Sequence, residues 1–492
     1  MKKVLPNIIL IVCDTLGAKH MSLYGYDRRT TPNLERLVEK EGFTIYQRCF
    51  APAPWTSPSH ASLFTGLYPS EHGTNGLKFF LDEKFYTLPE ILTLTGYSTI
   101  GFSNNYIVSR PFGYEKGFGE FYEIPNLITN ENFTELQKLI LFKKSKWEKI
   151  KALLGGRGET DSRKIIKFLI TRFYLKFRPV TVNSTPFTKK TVKLAEKKIA
   201  ELQERREKFF LFINLMQTHG KYNPPKGFRK LFQPSDYKEK RSFRDCFVQN
   251  YCGEHSAIVS KSIDYWKARY DEEIFFLDTV LHSFYTSLKE RGFLDNTLFI
   301  ITSDHGELFG EMGHLEHAFI TYNSLVHIPL LVRYPEAAPA VDDRMVQLHD
   351  IFALICDMID SPIPVPENSI SPLSLEKRKL VISQSIDMRH KLKFILRRCR
   401  EWDFKRHNFS HSNMSAIMEL DNILYKTIYY STDNWEFYKL RGSLYEENNN
   451  IQHIGERETI KLKKTMKKLI DDCEFCSAVP ENEYDLDSVF DI

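Results

Sequence analysis

The sequence predicts an α/β protein built on a doubly wound, mostly parallel sheet flanked by helices, followed by a small C-terminal α+β subdomain of antiparallel strands and one helix. Two observations predict the main sheet. Wholly apolar runs, such as residues 8–12, are typical of parallel strands buried on both faces. These runs alternate with amphipathic helical segments, and strand–helix alternation is typical of a doubly wound sheet.

The elements of this sheet follow in chain order. Strands are predicted at residues 8–12, 46–52, 98–103, 209–215, 298–302 and 328–332. Helices are predicted at residues 32–41, 58–65, 88–95, 188–204 and 271–291. Gly66, Gly96 and Gly292 stand where three of these helices should end, as is common for glycine after a last helical turn.

A change of composition predicts a second unit. Prolines at positions 362, 364, 366 and 372 mark a boundary, so we expect a main domain over residues 1–365 and a small subdomain over residues 366–492. Strands are predicted there at residues 380–383, 415–420, 425–430 and 436–440, with a Lys-rich helix at residues 458–472.

Residues 126–187 interrupt the strand–helix rhythm and read as a basic helical insertion. Residues 138–178 hold thirteen Lys and Arg against three Asp and Glu. Such a segment is either a solvated helical face or a peripheral contact with an anionic polymer or membrane. The net charge of the 492-residue chain is only +5, which predicts no nucleic-acid partner.

The same sequence predicts a cytoplasmic protein. The apolar run at residues 8–12 is too short for a secretory signal, and no stretch reaches the roughly 18 apolar residues that span a bilayer. Eight scattered cysteines do not form a dense disulfide framework and are expected to be thiols. The Cys473–Cys476 CxxC pair is a weak signal for zinc or redox chemistry.

Chemistry-bearing residues follow the predicted strands. Asp14 directly follows the first strand, and the pair Asp304–His305 follows the strand at residues 298–302. Thr56 stands where a helix begins, since Ser57 is a good N-cap and proline is favoured at a first helical position. Ligands bind at the carboxyl edge of open α/β sheets, and helix N-termini attract phosphate or sulfate groups.

These four residues predict a metal-assisted nucleophile. Two carboxylates, an imidazole and a threonine oxygen suit Mn or Mg and are compatible with Zn. A divalent cation would lower the pKa of the Thr56 hydroxyl and neutralise charge that develops on a tetrahedral ester.

The sequence resembles the sulfatase-like family of the alkaline phosphatase superfamily. The matching motifs occur in the family's order over about the first 335 residues. They comprise residues 7–16, 24–26, 31–34, 56–69 and 72–73, His219, residues 270–274 and 302–307, Tyr322 and residues 328–330. The C-terminal segment resembles a decayed form of the family's small four-stranded domain.

The resemblance implies a role for each site residue. Asp14, Asp304 and His305 would bind one divalent metal ion (Zn, Mn or Ca), with Thr56 as nucleophile and a further ligand. His219 would hold a transferring oxygen or protonate a leaving group. His317 corresponds to a basic residue of a family loop, and His314 competes for that position.

The sequence also departs from the family pattern. Sulfatases proper carry Cys or Ser where Thr56 stands, and this residue is matured to formylglycine; four residues later they carry Arg, where this chain has His60. Threonine cannot undergo that maturation, and threonine nucleophiles are found in related phosphodiesterases and phosphoethanolamine transferases. His60 is a further catalytic candidate. Its side chain faces either the site or the core, and the sequence favours neither. Asn75 and Asn104 are candidates for lining the pocket.

We therefore expect a metal-dependent hydrolase that cleaves sulfate or phosphate esters through Thr56 and a covalent intermediate, with phosphorus as the favoured centre. Its substrate would be a small-molecule or glycan or lipid ester. One alternative is a transferase that passes a phospho-group to a glycan or lipid acceptor. A second alternative is a catalytically silent binding protein.

Overall fold

The computed structural model describes residues 5–76, 78–123, 184–233, 242–251, 257–335, 337–388, 411–446 and 454–472. Its strands are β1 (Asn7–Cys13), β2 (Phe43–Phe50), β3 (Ser98–Ser103), β4 (Glu120–Glu123), β5 (Phe209–Leu215), β6 (Thr297–Thr302), β7 (Leu308–Phe309), β8 (Leu315–Glu316), β9 (His327–Ile328), β10 (Leu330–Arg333), β11 (Ala340–Gln347), β12 (Leu380–Ser385), β13 (Asn413–Leu420), β14 (Ile423–Tyr430) and β15 (Trp435–Leu440).

The α-helices of the same residues complete the architecture. They are α1 (Pro32–Lys40), α2 (Thr56–Thr65), α3 (Pro69–His72), α4 (Leu88–Leu94), α5 (Ser184–Glu204), α6 (Phe243–Tyr251), α7 (Ala257–Glu290), α8 (Asn323–Val326), α9 (Asp350–Met358) and α10 (Glu456–Asp472). None of the helices in these ranges is long and apolar enough to cross a membrane.

The main sheet is mixed and mostly parallel, in the order β11-β2-β10-β6-β1-β5-β3-β4, with β9 paired to β2. The strand β10 runs antiparallel to both β2 and β6, whereas β1 pairs in parallel with β5 and β6. The carboxyl ends of β1, β2, β5 and β6 therefore meet at one edge. This arrangement confirms the predicted sheet.

Helices cover both faces of the sheet, which explains why β1 is apolar from Ile8 to Cys13. Ile8, Leu10 and Val12 pack in one cluster with residues of α2, α4 and α9. Ile9 and Ile11 pack on the opposite face with residues of α1, α5 and α7. Successive side chains of a strand point to opposite faces, so a strand covered on both sides must be apolar at every position.

The C-terminal strands form a second, antiparallel sheet in the order β12-β13-β14-β15. On one side, α10 packs on it through Leu462, Met466 and Ile470. Ile417 and Ile428 of this sheet belong to the same apolar cluster as β1. The predicted antiparallel strands and helix are confirmed, while the division at residue 365 stays a prediction.

Several element boundaries differ from the sequence predictions. The helix α7 begins at Ala257 rather than residue 271, because buried side chains such as Val259 extend its packed face into a segment that reads as polar. The strand predicted at residues 328–332 is divided at Pro329, which has no N–H for a sheet hydrogen bond. The elements β4, β11 and α9 were not predicted. Most of the 126–187 insertion, all of residues 138–178 and the Cys473–Cys476 pair lie outside the described residues.

The start of α2 is also different from the prediction. The helix begins at Thr56, and Trp55 in an extended conformation occupies the cap position predicted for Ser57. The Ser57 hydroxyl donates instead to the carbonyl oxygen of Phe79 at 2.6 Å. The Ser57 hydroxyl, which the local sequence assigns to the N-cap of α2, is thus used in a tertiary hydrogen bond. The helix ends at Gly66 with φ of 74°, as predicted.

Candidate active site

The predicted site residues all lie beyond the carboxyl ends of the main-sheet strands. Asp14 follows β1, Asp304 follows β6 by two residues, and Thr56 opens the helix after β2. His219 follows β5 by four residues. Since these strands share one direction, their loops converge although Asp14 and Asp304 are 290 residues apart.

Three of these residues form a candidate metal cluster. The ligand atoms of Asp14, Asp304 and His305 lie within 4.8 Å of one another, and all three side chains are fully buried. The backbone N–H groups of Thr15 and His305 donate to Oδ1 of Asp304 at 3.1 and 2.9 Å. The Asn105 amide donates to Oδ2 of Asp14 at 2.6 Å.

The second oxygen of each carboxylate shows which kind of group fits this cluster. Oδ1 of Asp14 and Oδ2 of Asp304 have no hydrogen-bond partner within the described parts of the chain. A buried polar atom without a partner costs free energy, and a buried charge costs much more unless it is paired or binds a metal. Two such oxygens beside an imidazole nitrogen therefore fit a divalent cation.

The electrostatics of the carboxylates agree with this conclusion. Burial raises the pKa of Asp304 to about 7. Burial also raises the pKa of Asp14, and the neighbouring charge of Asp304 raises it further. A bound cation acts in the opposite direction, because it favours the charged form of each carboxylate.

Thr56 lies beside the cluster at the N-terminus of α2. Its Oγ1 is 3.4 Å from Nε2 of His305, and the side chain is almost fully buried. Nδ1 of His305 lies 2.8 Å from the carbonyl oxygen of Gly306. A carbonyl only accepts, so Nδ1 holds the proton and Nε2 presents a lone pair towards Thr56, as a metal ligand must.

The turn after His305 depends on a close backbone approach at Gly306. A Cβ atom added there would lie 2.4 Å from the carbonyl oxygen of Ser324 and 3.1 Å from Cα of Gly17. No other residue type fits this position without moving the backbone. The Asp-His-Gly motif therefore places two candidate metal ligands side by side and is followed by a tight backbone turn at Gly306.

His60 lies one turn after Thr56 in α2, and both of its ring nitrogens have hydrogen-bond partners. Its Nδ1 is 3.0 Å from the carbonyl oxygen of Thr56, and its Nε2 is 3.2 Å from the side-chain amide of Asn214. Burial lowers the pKa of His60 to about 4, so the ring is neutral at neutral pH. Its contacts support the first turn of α2.

Two histidines form the partly exposed rim of the site. The rings of His219 and His317 lie 5.3 Å apart, and the ring of His317 lies 4.7 Å from that of His305. Nδ1 of His317 is 2.9 Å from Oε1 of Glu307. His314 contacts the ring of Tyr322 instead, at 5.7 Å. Of the two competing histidines, His317 is the one that contacts the cluster.

Sequence reasoning missed Asn105, Asn214 and Glu307. Two of them carried a usable signal, since Asn105 lies two residues beyond β3 and Glu307 directly follows the Asp-His-Gly motif. The two predicted asparagines make other contacts: Asn104 accepts from Thr191 at 2.8 Å, and Asn75 forms a turn with Lys78.

An α/β sheet with a buried hydroxyl and a candidate metal cluster at its carboxyl edge is the arrangement expected of a sulfate or phosphate ester hydrolase. The Sulfatase family profile matches residues 6–361 of this chain. The chain therefore belongs to the sulfatase family, and the resemblance inferred from its motifs is confirmed. Members of this family generally bind a divalent metal ion.

Two relatives are distant in sequence and align with most of the chain. An arylsulfatase of Clostridium perfringens is 23% identical over 393 residues, which are 75% of this chain and 78% of the relative. An N-acetylglucosamine-6-O-sulfatase of Bacteroides thetaiotaomicron is 22% identical over 373 residues, 68% of this chain and 64% of the relative. The crystal structure of the phosphonate monoester hydrolase of Agrobacterium radiobacter has the same fold, with a TM-score of 0.62, 19% identity and coverage of 94% and 95% of the two chains.

Proposed function

We propose that the protein hydrolyses sulfate or phosphate esters with Thr56 as the nucleophile. The observation that carries this proposal is the arrangement around the Thr56 hydroxyl. Within the described residues, one carboxylate oxygen each of Asp14 and Asp304 has no hydrogen-bond partner, and these side chains cluster with His305. Thr56 Oγ1 lies beside Nε2 of His305, at the N-terminus of α2. Such a terminus stabilises the charge of a sulfate or phosphate group.

One divalent ion would be held by Asp14, Asp304 and His305, with Thr56 as a further ligand. This set of two carboxylates, an imidazole and a hydroxyl suits Mn or Zn, while for Ca only its oxygen donors are suitable. When bound, the cation lowers the pKa of the hydroxyl and neutralises charge on the reacting ester.

The chain's own residues account for the remaining steps. Oγ1 of Thr56, as the alkoxide left after its hydroxyl proton has passed to solvent, forms a bond to the sulfur or phosphorus atom while the bond to the alcohol oxygen breaks. The alcohol leaves with a proton from His317 or His219, the rim histidines. Water then attacks the Thr56 ester, passes a proton to the same histidine, and releases the inorganic anion with Thr56 restored.

The chemistry of Thr56 favours phosphorus as the reacting centre. Threonine has a single hydroxyl, so its ester can be cleaved only by attack of water on the central atom. A formylglycine hydrate has a second hydroxyl that can expel the anion. The named activities of the relatives, which include a phosphonate monoester hydrolase and glycan sulfatases, support testing phosphate diesters, phosphonates and glycan sulfates as substrates.

The decisive experiment combines elemental analysis with a substrate panel. Aryl phosphate monoesters, phosphate diesters, phosphonates and sulfates are offered to the wild type, Thr56→Ala and Ser59→Ala. Ser59 is a matched control because it is a buried hydroxyl on the same helix that donates to Ala53. We expect about one metal ion per chain and loss of turnover only in Thr56→Ala. Full activity of Thr56→Ala would overturn the proposal.

The proposal extends to an alternative reaction and to the location of the protein in the cell. The transferase alternative rests on residues 138–178, outside the described ranges, and a labelled donor with and without an acceptor alcohol separates it from hydrolysis. A cytoplasmic location is supported by Cys13, Cys49 and Cys356, which are buried thiols.

A further inference from the structure

The segment that follows His317 is hydrogen-bonded along its length to the C-terminal sheet. We call residues 317–323 the His317 segment. Ser385 of β12 donates to the carbonyl oxygen of Ala318 at 2.7 Å. Asn413 of β13 donates to the carbonyl oxygen of Phe319 at 2.7 Å and accepts from the hydroxyl of Thr321 at 3.0 Å.

The other two strands of the sheet contact the same segment. Lys426 of β14 donates to the carbonyl oxygen of Thr321 at 2.5 Å and to the side chain of Asn323 at 2.6 Å. Glu436 of β15 accepts from the hydroxyl of Tyr322 at 3.1 Å. Each of the four strands thus contributes at least one hydrogen bond to the segment.

These contacts are buried and include a charge. Ser385, Asn413 and Lys426 are each no more than 1% exposed. The Lys426 ammonium is paired with Glu446 at 2.6 Å, which compensates a charge in the protein interior. Buried polar networks of this kind hold one arrangement of the groups they join, because any other leaves a donor or acceptor unsatisfied.

The backbone around His317 requires such support. Glu316 and Ala318, the residues on either side of it, have positive φ values of 62° and 101°. Residues with a Cβ adopt this region at a cost in free energy, so surrounding contacts must hold them there. The carbonyl of Ala318 is held directly by Ser385.

We infer that the C-terminal sheet positions His317 at the rim of the active site, with Ser385, Asn413 and Lys426 as positioning residues that act through the backbone of the His317 segment. This inference rests on the proposed function, in which His317 exchanges a proton with the leaving group. It gives the C-terminal sheet a role in the reaction, although none of these three residues belongs to the metal cluster.

A double-mutant cycle tests the inference. Asn413→Ala, His317→Ala and the double variant are assayed on esters with poor and good leaving groups. We expect Asn413→Ala to lower kcat by about tenfold on the poor leaving group, with little change on the good one or in KM. In the His317→Ala background, Asn413→Ala should cause no further loss, because the residue through which it acts is gone.

A milder variant and a control complete the design. Ser385→Ala removes one hydrogen bond and should show the same pattern with a smaller loss, and it decides the matter if Asn413→Ala does not fold. Thr427→Val is the matched control, because Thr427 is buried on β14 but donates to the backbone carbonyl oxygen of Glu436 within the sheet. It should leave kcat unchanged.

The outcomes separate this inference from the proposed function. Losses that multiply in the double variant, or equal losses for both leaving groups, overturn the positioning role. A His317→Ala variant with wild-type kcat also overturns it, yet the proposed function stands if Thr56→Ala is inactive. Activity in Thr56→Ala overturns both.

Discussion

Glu307 accepts a hydrogen bond from Nδ1 of His317 at 2.9 Å, and the hydroxyl of Tyr222 donates to the other oxygen of the same carboxylate at 2.8 Å. Glu307 is 2% exposed, so this pairing is shielded from water. A carboxylate that holds Nδ1–H of an imidazole fixes the orientation of the ring and directs Nε2 away from it. Glu307 therefore joins the Asp-His-Gly motif to the rim histidine ten residues later.

The first prediction concerns this pair. Glu307→Gln keeps the shape of the side chain but replaces a charged acceptor with a weaker, neutral one. We expect kcat to fall by about tenfold on esters with poor leaving groups, since proton transfer by a positioned side chain contributes roughly 10²–10⁴-fold. Steady-state kinetics measure this effect, with Glu290→Gln at the exposed end of α7 as the control. An equal loss on good leaving groups would contradict a role in protonation.

The second prediction concerns the nucleophile. Thr56→Ser keeps the hydroxyl and should retain measurable turnover, whereas Thr56→Val keeps the shape and should lose roughly a thousandfold or more in kcat. Thermal unfolding should show that Thr56→Val remains folded. A Val variant as active as the Ser variant would remove Thr56 from the reaction.

The third prediction concerns the buried carboxylates. The pKa of Asp304 is raised to about 7 by burial, while in the unfolded chain it is about 4. The unfolded state thus loses its proton first, and the stability of the metal-free protein falls as pH rises from about 4 to 7. Asp304→Asn has no proton to lose and should be more stable than the chelated wild type at pH 8, by roughly 1–3 kcal/mol.

Urea denaturation with a chelator at pH 5 and pH 8 measures this difference. The same variant should lose its metal and its turnover, because a ligand charge is gone. Added metal should stabilise the wild type and not the variant, since a ligand that binds only the folded state raises stability. If Asp304→Asn is less stable than the chelated wild type at pH 8, the buried carboxylate of Asp304 does not destabilise the metal-free protein and the prediction is wrong.

The fourth prediction concerns His72, whose pKa is lowered to about 3 by burial. Its Nδ1 accepts from the backbone N–H of Thr74 at 3.0 Å, and its Nε2 lies 3.0 Å from the hydroxyl of Ser62. Below pH 6.5 the unfolded chain binds a proton that the folded protein excludes, so stability falls as pH drops from 6.5 towards 3. His72→Gln should have a shallower acid slope in urea denaturation. Parallel slopes in the two proteins would rule this contribution out.

Much of the main sheet was predictable because it depends on local patterns. The apolar run of β1 and the carboxylate directly after it place Asp14 at the carboxyl edge without any knowledge of the fold. The same reasoning applies to Asp304 and His305 after β6. Strand–helix alternation then predicts that these edges meet, because parallel strands share one direction.

Other features required the tertiary structure. The helix α2 begins one residue earlier than predicted, with Trp55 at the N-cap position, and the hydroxyl of Ser57 donates to Phe79, a contact distant in sequence. Asn105 and Glu307 stand close to predicted elements in the sequence, but it is their contacts with Asp14 and His317 that identify them as site residues. Side chains that act through hydrogen bonds have no sequence period that would reveal them.

The sequence by itself determined the class of the sheet, the family and the metal-ligand candidates Asp14, Asp304 and His305. These follow from burial patterns and motif spacing along a single stretch of chain. Only the tertiary structure decided that His317 contacts His305 of the cluster. It also decided that His60 is hydrogen-bonded to the backbone of Thr56, and that the C-terminal sheet is hydrogen-bonded to the His317 segment. The physical reason is that the orientation and the hydrogen bonds of a side chain depend on partners that are distant in the sequence.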